Sequence, residues 1–318
     1  MKNETNHLAA LTAHIETTIV GQKRLIERLL TGVLAGGHML LEGLPGLAKT
    51  TAVHQLADGM AMKFQRIQFT PDLIPGDITG SDIFVPQDGH FQFVAGPVFN
   101  EIVLADEINR APPKVQSALL EAMQERQVTV GGTTRPLPEI FMVIATQNSI
   151  DQEGTYPLPE AQLDRFIMKT HIDYPSADEE LEILRRAKQP KTSGNGKSVL
   201  NGEQIKAARD AVNNIYIDEM LQRYIVTLVG ATRDPSPWDE TLTPLLARGA
   251  SPRATLALAQ TSRARAFLQG RDFVEPGDII ELAHDVLNHR LALSFSARAE
   301  GVDSRQLIER ITDVVPIP

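Results

Sequence analysis

The sequence contains no cysteine. Disulfides, thiolate nucleophiles and cysteine-based zinc sites are therefore excluded together. Such a chain suits a reducing compartment. It also has no apolar run of the roughly 18 residues that a membrane helix needs. Residues 1–20 lack the apolar stretch of a signal peptide, so a soluble, cytoplasmic protein is expected. Positive charge is in short supply: 31 Lys and Arg stand against 40 Asp and Glu, a net charge of −9. Gripping duplex nucleic acid asks for a positive face, so that reading starts weak. The eight histidines are scattered. His284 and His289 are not spaced to share a helix face, which disfavours a metal enzyme.

What is present is an ordinary globular composition, 42% hydrophobic and 22% charged over 318 residues. That length corresponds to about two domains and suffices for at least one full core. Residues 8–34 read as helical with a break near Val20-Gly21-Gln22, because Leu25, Ile26, Leu29, Leu30, Val33 and Leu34 recur at helical spacing. Gly36-Gly37 stops that pattern. His38-Met39-Leu40-Leu41, Ile102-Val103-Leu104-Ala105 and Phe141-Met142-Val143-Ile144-Ala145 read as buried strands. Strands alternating with helical stretches such as 114–125 predict a mostly parallel α/β sheet. Two hairpins are expected on its loops, at 81–96 and at 127–134. The composition changes after Tyr174-Pro175: residues 189–202 read as a flexible loop, and helices are expected over 203–214, 218–232, 252–269 and 276–290. The domain boundary is placed near 175, giving an α/β core over 1–175 and a helical domain over 176–318.

Gly43-Leu44-Pro45-Gly46-Leu47-Ala48-Lys49-Thr50 follows a predicted strand and opens a predicted helix. This is the setting of a phosphate-binding loop. Backbone N–H groups converge on phosphate oxygens and the helix N-terminus adds partial positive charge. Lys49 supplies a full charge and the Thr50 hydroxyl can reach Mg²⁺. Ala48 stands where the G-x-x-x-x-G-K-[ST] pattern has its second glycine. Alanine suits ordinary helical backbone angles there and does not suit a positive φ. The strand at 102–105 ends in Asp106-Glu107. Alternation along a strand would aim these acids at different points, one at a metal and one at an attacking water. They lie at a strand's carboxyl end, where open α/β sheets bind ligands. Asn148 follows the third strand and offers both a donor and an acceptor; asparagine is also a favoured turn residue. Arg165 and Arg253 sit beside expected helix termini, where arginine can stabilise a transferring phosphoryl group or simply make a surface salt bridge.

Together these segments resemble the MoxR family of AAA+ ATPases. The resemblance rests on residues 43–50, Leu104-Ala105-Asp106-Glu107-Ile108-Asn109-Arg110-Ala111-Pro112, Ala145-Thr146-Gln147-Asn148, Leu158-Pro159-Glu160-Ala161-Gln162-Leu163-Asp164-Arg165-Phe166 and Gly249-Ala250-Ser251-Pro252-Arg253-Ala254. It spans about Ile19 to Arg253 and implies a P-loop NTPase core with β-hairpin inserts and a helical lid. It also implies a Mg²⁺-dependent ATPase in a homo-oligomeric ring, a hexamer. Lys49 and Thr50 would form Walker A, and Asp106 and Glu107 Walker B; Thr50 and Asp106 hold the metal. Asn148 is implied as sensor 1 and Arg253 as sensor 2, reaching the nucleotide from the lid. Arg165 is implied as the arginine finger offered to a neighbour. Val20, Gly21 and Gln22 would line the adenine pocket, and Gly43, Leu44, Pro45, Gly46, Leu47, Ala48 and Thr51 complete the nucleotide contacts. The implied work is chaperone-like remodelling, maturation or activation of a protein complex, with a separate partner carrying a von Willebrand factor A domain. Alternatives are a metal-chelatase-like motor, a nucleic-acid motor, and a regulatory subunit that only binds ATP. The hairpin at 81–96 has no Lys or Arg, against the basic surface a nucleic-acid motor would want.

Overall fold

The computed structural model describes residues 2–44, 46–87, 89–148, 154–187 and 198–318, with side chains from residue 6 onward. Pro45, Asp88 and most of the expected loop at 189–202 lie outside the described residues.

Five strands form the central sheet: β1 (Met39–Gly43), β2 (Phe64–Gln68), β5 (Ile102–Asp106), β8 (Met142–Gln147) and β9 (Met168–Ile172). Their order is β2-β5-β8-β1-β9 and every pairing is parallel. The three central strands are the expected apolar runs. Both edge strands escape that criterion. β2 is Phe64-Gln65-Arg66-Ile67-Gln68, with Ile67 alone buried, and β9 alternates buried and exposed residues. An edge strand needs apolar residues on only part of its surface, so its run is broken.

Alternation along the central strands feeds two cores. Met39, Leu41, Ile102, Leu104, Met142 and Ile144 face one side. Leu40, Val103, Ala105, Val143 and Ala145 face the other. Helices α1 (Lys2–Thr18), α2 (Lys23–Ala35) and α3 (Lys49–Gly59) pack on the first side. The short α4 (Pro75–Thr79) and α5 (Pro113–Glu125) pack on the second. Gly36 ends α2 in the left-handed region, φ 68°, where glycine carries no Cβ penalty.

Two hairpins decorate the sheet, β3 (Gly80–Val85) with β4 (His90–Ala95), and β6 (Gln127–Val130) with β7 (Thr133–Pro136). The first is inserted between β2 and β5. Its Phe84 and Phe91 pair across the strands with ring centroids 5.3 Å apart, and both are exposed. Arg135 of the second hairpin stacks on Phe93 at 3.8 Å and reaches Asp82 at 3.8 Å, joining the two.

After the one-turn α6 (Glu160–Leu163) and β9, the chain is helical: α7 (Ala177–Ala187), α8 (Gly202–Asn213), α9 (Glu219–Ala231), α10 (Pro252–Leu268), α11 (Pro276–Leu287), α12 (Phe295–Ala299) and α13 (Ser304–Val314). Among the described residues it is interrupted by a minor ribbon, Leu246–Arg248 with Ala292–Leu293, a single bridge between Tyr216 and Phe273, and a 3-10 turn at Glu240–Leu245. The apolar core does not divide at residue 175. Leu25, Leu29 and Val33 of α2 belong to the same buried cluster as Leu258 of α10 and Leu282 of α11. An ionic seam reinforces that junction. The fully buried Arg28 of α2 donates to Asp285 at 2.8 Å and to Glu281 at 2.6 Å. Removing one partner of such a pair would leave a buried charge uncompensated.

His38, at the amino end of β1, is buried and fixed as the neutral tautomer. The Val143 N–H donates to its Nδ1 at 2.9 Å, so Nε2 carries the proton and donates to the Met123 carbonyl at 3.1 Å. A second proton would set two donors face to face. Burial accordingly pulls the His38 pKa down from 6.5 to about 4. Below pH 6.5 the unfolded chain takes up a proton that the fold refuses, so stability is lost as pH falls from 6.5 towards 4. Between pH 7 and pH 5 this one group should cost about 2 kcal/mol. Denaturant unfolding of wild type and His38→Asn at both pH values checks this. The variant should lose less stability across the interval, and equal losses would contradict the assignment.

Candidate nucleotide site

The carboxyl ends of β1, β5 and β8 converge on one cavity of about 330 Å³. Gly46, Leu47, Ala48, Lys49, Thr50 and Thr51 line it from the turn after β1 and the start of α3. Asp106 and Glu107 enter from the end of β5, and Thr146 and Asn148 from the end of β8. Parallel register makes this happen, because Leu41 pairs with Thr146 and Ala105 with Ala145.

Two backbone features of the site are strained. Ala48 is left-handed at φ 56°, ψ 18°, so of the two cases for alanine here it is the positive φ, the one alanine does not suit. The turn must reverse into α3, and Gly46 at φ 87° takes up part of that reversal. Ala48 carries the rest at a cost of roughly 1–2 kcal/mol. Glu107 is also left-handed, φ 58°, ψ 49°. β5 ends at Asp106, so the two acids are not separated by strand alternation as expected. The backbone turns over at Glu107, and both acids face the same cavity. Glu107 is held there by its own N–H, which donates to Thr146 Oγ1 at 2.9 Å.

The acids are heavily bonded. Asp106 Oδ1 accepts from the Thr146 hydroxyl and Oδ2 from the Thr50 hydroxyl at 3.4 Å. Arg66 of β2 donates to the same Oδ2 through Nε at 3.0 Å and a terminal nitrogen at 2.6 Å. Gln68 of β2 donates to Glu107 Oε2 at 2.9 Å, and Arg110 lies 3.3 Å from the same oxygen. Lys49 donates to the Gly43 carbonyl. Its burial lowers its pKa, while Asp106, Glu107 and Glu42 pull it back up. Thr50 Oγ1 and Asp106 Oδ2 are hard oxygen donors at one spot, of the kind Mg²⁺ shares with phosphate oxygens. The Arg66 guanidinium already fills a cation's place beside them.

Gly21 and Gln22 sit at the same end of the sheet. Gln22 donates to the Asp173 carbonyl at 3.4 Å, just past β9. A Cβ on Gly21 would strike Glu179, so the segment after Val20 lies against the start of α7. Gly43 is hemmed in by the Ile172 carbonyl, 2.8 Å from where its Cβ would be.

Arg165 and Arg253 are not in this cavity. Both line a second one, of about 310 Å³, together with His38, Met123 and Leu256. His38 and residues 164–167 precede β1 and β9, so this cavity is at the amino ends of the strands. The five residues of β1 set the two ends roughly 16 Å apart. The expectation that Arg253 reaches its own chain's nucleotide from the lid is therefore not met. The reason is where α10 begins. Its cap residue Ser251 donates to Asp164 Oδ2 at 2.9 Å, and Arg253 lies 3.6 Å from the same carboxylate. The buried Arg290 donates to Asp164 Oδ1 at 2.9 Å and closes the junction. Arg165 donates to the Leu120 carbonyl at 2.7 Å.

Arg66, Gln68 and Thr146 were not among the expected site residues. For the first two the signal was faint. They stand two apart on a strand, hence on one side, but that strand has no apolar run to reveal it.

A parallel sheet carrying a phosphate-type turn after one strand and paired acids after another, followed by a helical domain, defines an AAA+ ATPase. Comparison with known proteins agrees. The sequence matches the "ATPase family associated with various cellular activities (AAA)" over residues 38–168 and the "AAA lid domain" over residues 242–311. "Chaperone MoxR1" of Mycobacterium tuberculosis is 46% identical over 99% of this chain and 83% of its own length. "Uncharacterized protein YeaC" of Bacillus subtilis is 42% identical over 98% of this chain and 95% of its own. "Protein MoxR" of Methylorubrum extorquens is 31% identical, again over 98% and 95%. A solved structure from Cytophaga hutchinsonii superposes with a TM-score of 0.94 at 47% identity, covering 99% of this chain and 96% of that one. The chain belongs to the MoxR family of AAA+ ATPases.

The strained turn yields a test. Ala48→Gly should change stability by less than about 1 kcal/mol, since relief of strain offsets glycine's entropy. Ala48→Val, β-branched at positive φ, should lose roughly 2 kcal/mol or more and weaken nucleotide binding. Thermal melts with and without ADP measure both, and a valine variant equal to wild type would contradict the assigned backbone.

Proposed function

We propose that this ATPase is a chaperone-type motor. In this reading it binds ATP with Mg²⁺ and assembles as a homo-oligomeric ring, a hexamer, with hydrolysis sites shared between neighbours. The observation that carries the proposal is the separation within one chain. Lys49, Thr50, Asp106, Glu107 and Asn148 stand at one end of the sheet, and Arg165 and Arg253 at the other. Arg253 is half exposed. Head-to-tail contact of two copies would bring one chain's arginines to another's nucleotide, and heterologous contacts of this kind close into rings.

Each residue then has a role that follows from its chemistry. Backbone N–H groups of residues 46–50 bind the phosphates, and Lys49 offsets charge on the outer ones. Thr50 and Asp106 would hold Mg²⁺, whose charge would neutralise phosphate oxygens. Glu107 orients the attacking water and accepts its proton. Asn148 positions that water or the terminal phosphate. Arg165 and Arg253 of a neighbour stabilise the transferring group. Val20, Gly21 and Gln22 flank the base.

Because α2 and the lid share one core and the Arg28 seam, a change at a neighbour-facing arginine is transmitted to the sheet as a rigid-body shift. The output is remodelling, maturation or activation of a protein complex in the cytoplasm, with a separate von Willebrand factor A domain partner. The name of the 46% identical relative, a chaperone, supports a protein client. So does the first hairpin, whose exposed Ile83, Phe84, Phe91 and Val94 offer an apolar surface and no Lys or Arg.

Glu107→Gln should bind nucleotide within about threefold of wild type and lose at least about 100-fold in turnover. Fluorescent-nucleotide titration and phosphate release measure the two. Near-wild-type hydrolysis by the variant would remove Glu107 from its role.

A further inference from the structure

We propose that Arg66 is a positioning residue that competes with Mg²⁺ for Asp106 and so sets the magnesium concentration at which nucleotide is held productively. The inference rests on the Mg²⁺–nucleotide reading of the site given above.

The geometry carries it. Asp106 Oδ2 receives two N–H donors from the Arg66 guanidinium, at 3.0 and 2.6 Å, and the Thr50 hydroxyl at 3.4 Å. Oδ1 is taken by the Thr146 hydroxyl. A carboxylate has about four lone-pair sites. Oδ1 keeps one of its two sites, but Oδ2, the oxygen beside Thr50, serves three donors and has no lone pair to turn towards a metal or towards a metal's water. Charge adds to this, because a guanidinium and a divalent cation at one carboxylate oxygen repel each other. Arginine suits the competitor's part: it stays charged at every working pH and presents its donors as a rigid fork.

The same guanidinium reaches the second acid. The terminal nitrogen that meets Asp106 also donates to Gln68 Oε1 at 2.7 Å, and Gln68 in turn donates to Glu107 Oε2 at 2.9 Å. Arg66 and Gln68 lie on one side of β2, so one edge strand holds both acids. The Arg66 side chain is about half exposed, 48%, against 12% for Asp106. It can therefore swing into solvent when displaced, at little desolvation cost. The topology places this contact well for control. The polypeptide between β2 and β5 includes α4, the β3–β4 hairpin and a 3-10 turn at Pro97–Phe99. A pull on that hairpin acts on the two strands that carry Arg66 and Asp106.

The test is a Mg²⁺ titration of fluorescent ADP bound to the full chain, for wild type, Arg66→Gln and Arg66→Lys. Affinity in EDTA and thermal melting are measured alongside. In Arg66→Gln the Mg²⁺ midpoint should fall about three- to tenfold, each midpoint being referred to that variant's own affinity in EDTA. Arg66→Lys keeps the charge but loses the two-donor grip, so its midpoint should fall by less. It also serves if the glutamine variant melts too early to titrate. Unmoved or raised midpoints in both variants would overturn the competition while leaving the nucleotide site intact. Failure of wild type to bind ADP at all would instead overturn the reading on which the proposal rests.

Discussion

In-register parallel pairing of β1 with β8, and of β8 with β5, brings three widely separated chain segments to one edge of the sheet. Each segment follows a buried apolar strand, so each is pinned by hydrophobic packing on both faces. A register shift of one residue would turn every strand side chain to the opposite core. The phosphate turn, the paired acids and Asn148 share a cavity because that shift is forbidden. The same strands have amino ends, and there the pairing of β1 with β9 seats His38 beside residues 164–167. One sheet thus creates two poles, with the acids and Lys49 at one and Arg165 and Arg253 at the other.

Within the first pole, order is maintained against backbone strain. Ala48 and Glu107 both occupy left-handed conformations that their side chains disfavour. Such conformations persist only where surroundings over-determine them. At Glu107 the surroundings are the Thr146 hydroxyl, Gln68 and Arg110. At Ala48 they are the fixed end of β1 and the start of α3. Between them the carboxylates form a dense polar network in which every donor to Asp106 has a stake in what else can bind there.

Much of this was legible in the sequence, for reasons that can be named. The three central strands are apolar runs because they are buried on both faces. The turn at 43–50 and the pair Asp106-Glu107 are short motifs fixed by chemistry. The hairpins declared themselves through alternation and glycine. What was not legible depended on partners far along the chain. β2 and β9 are edge strands whose polar residues hid them, and with β2 went Arg66 and Gln68. The left-handed turn at Ala48 contradicted the residue type. The location of Arg253 followed from Ser251 and Arg290 meeting Asp164, a contact between distant segments that no local pattern announces.

In the proposed ring, each pole of one chain is completed by the opposite pole of a neighbouring copy. The most direct measurement is ATPase activity of a mixture. One component is Lys49→Ala, with intact arginines and a dead phosphate turn. The other is the Arg165→Ala, Arg253→Ala double variant, with an intact turn and no arginines. Each alone should be inactive. Shared sites predict that mixing restores phosphate release, because one chain's arginines complete the other's turn. A mixture as inactive as its components, with both variants folded and co-assembling, would contradict sharing and return the chemistry to a single chain.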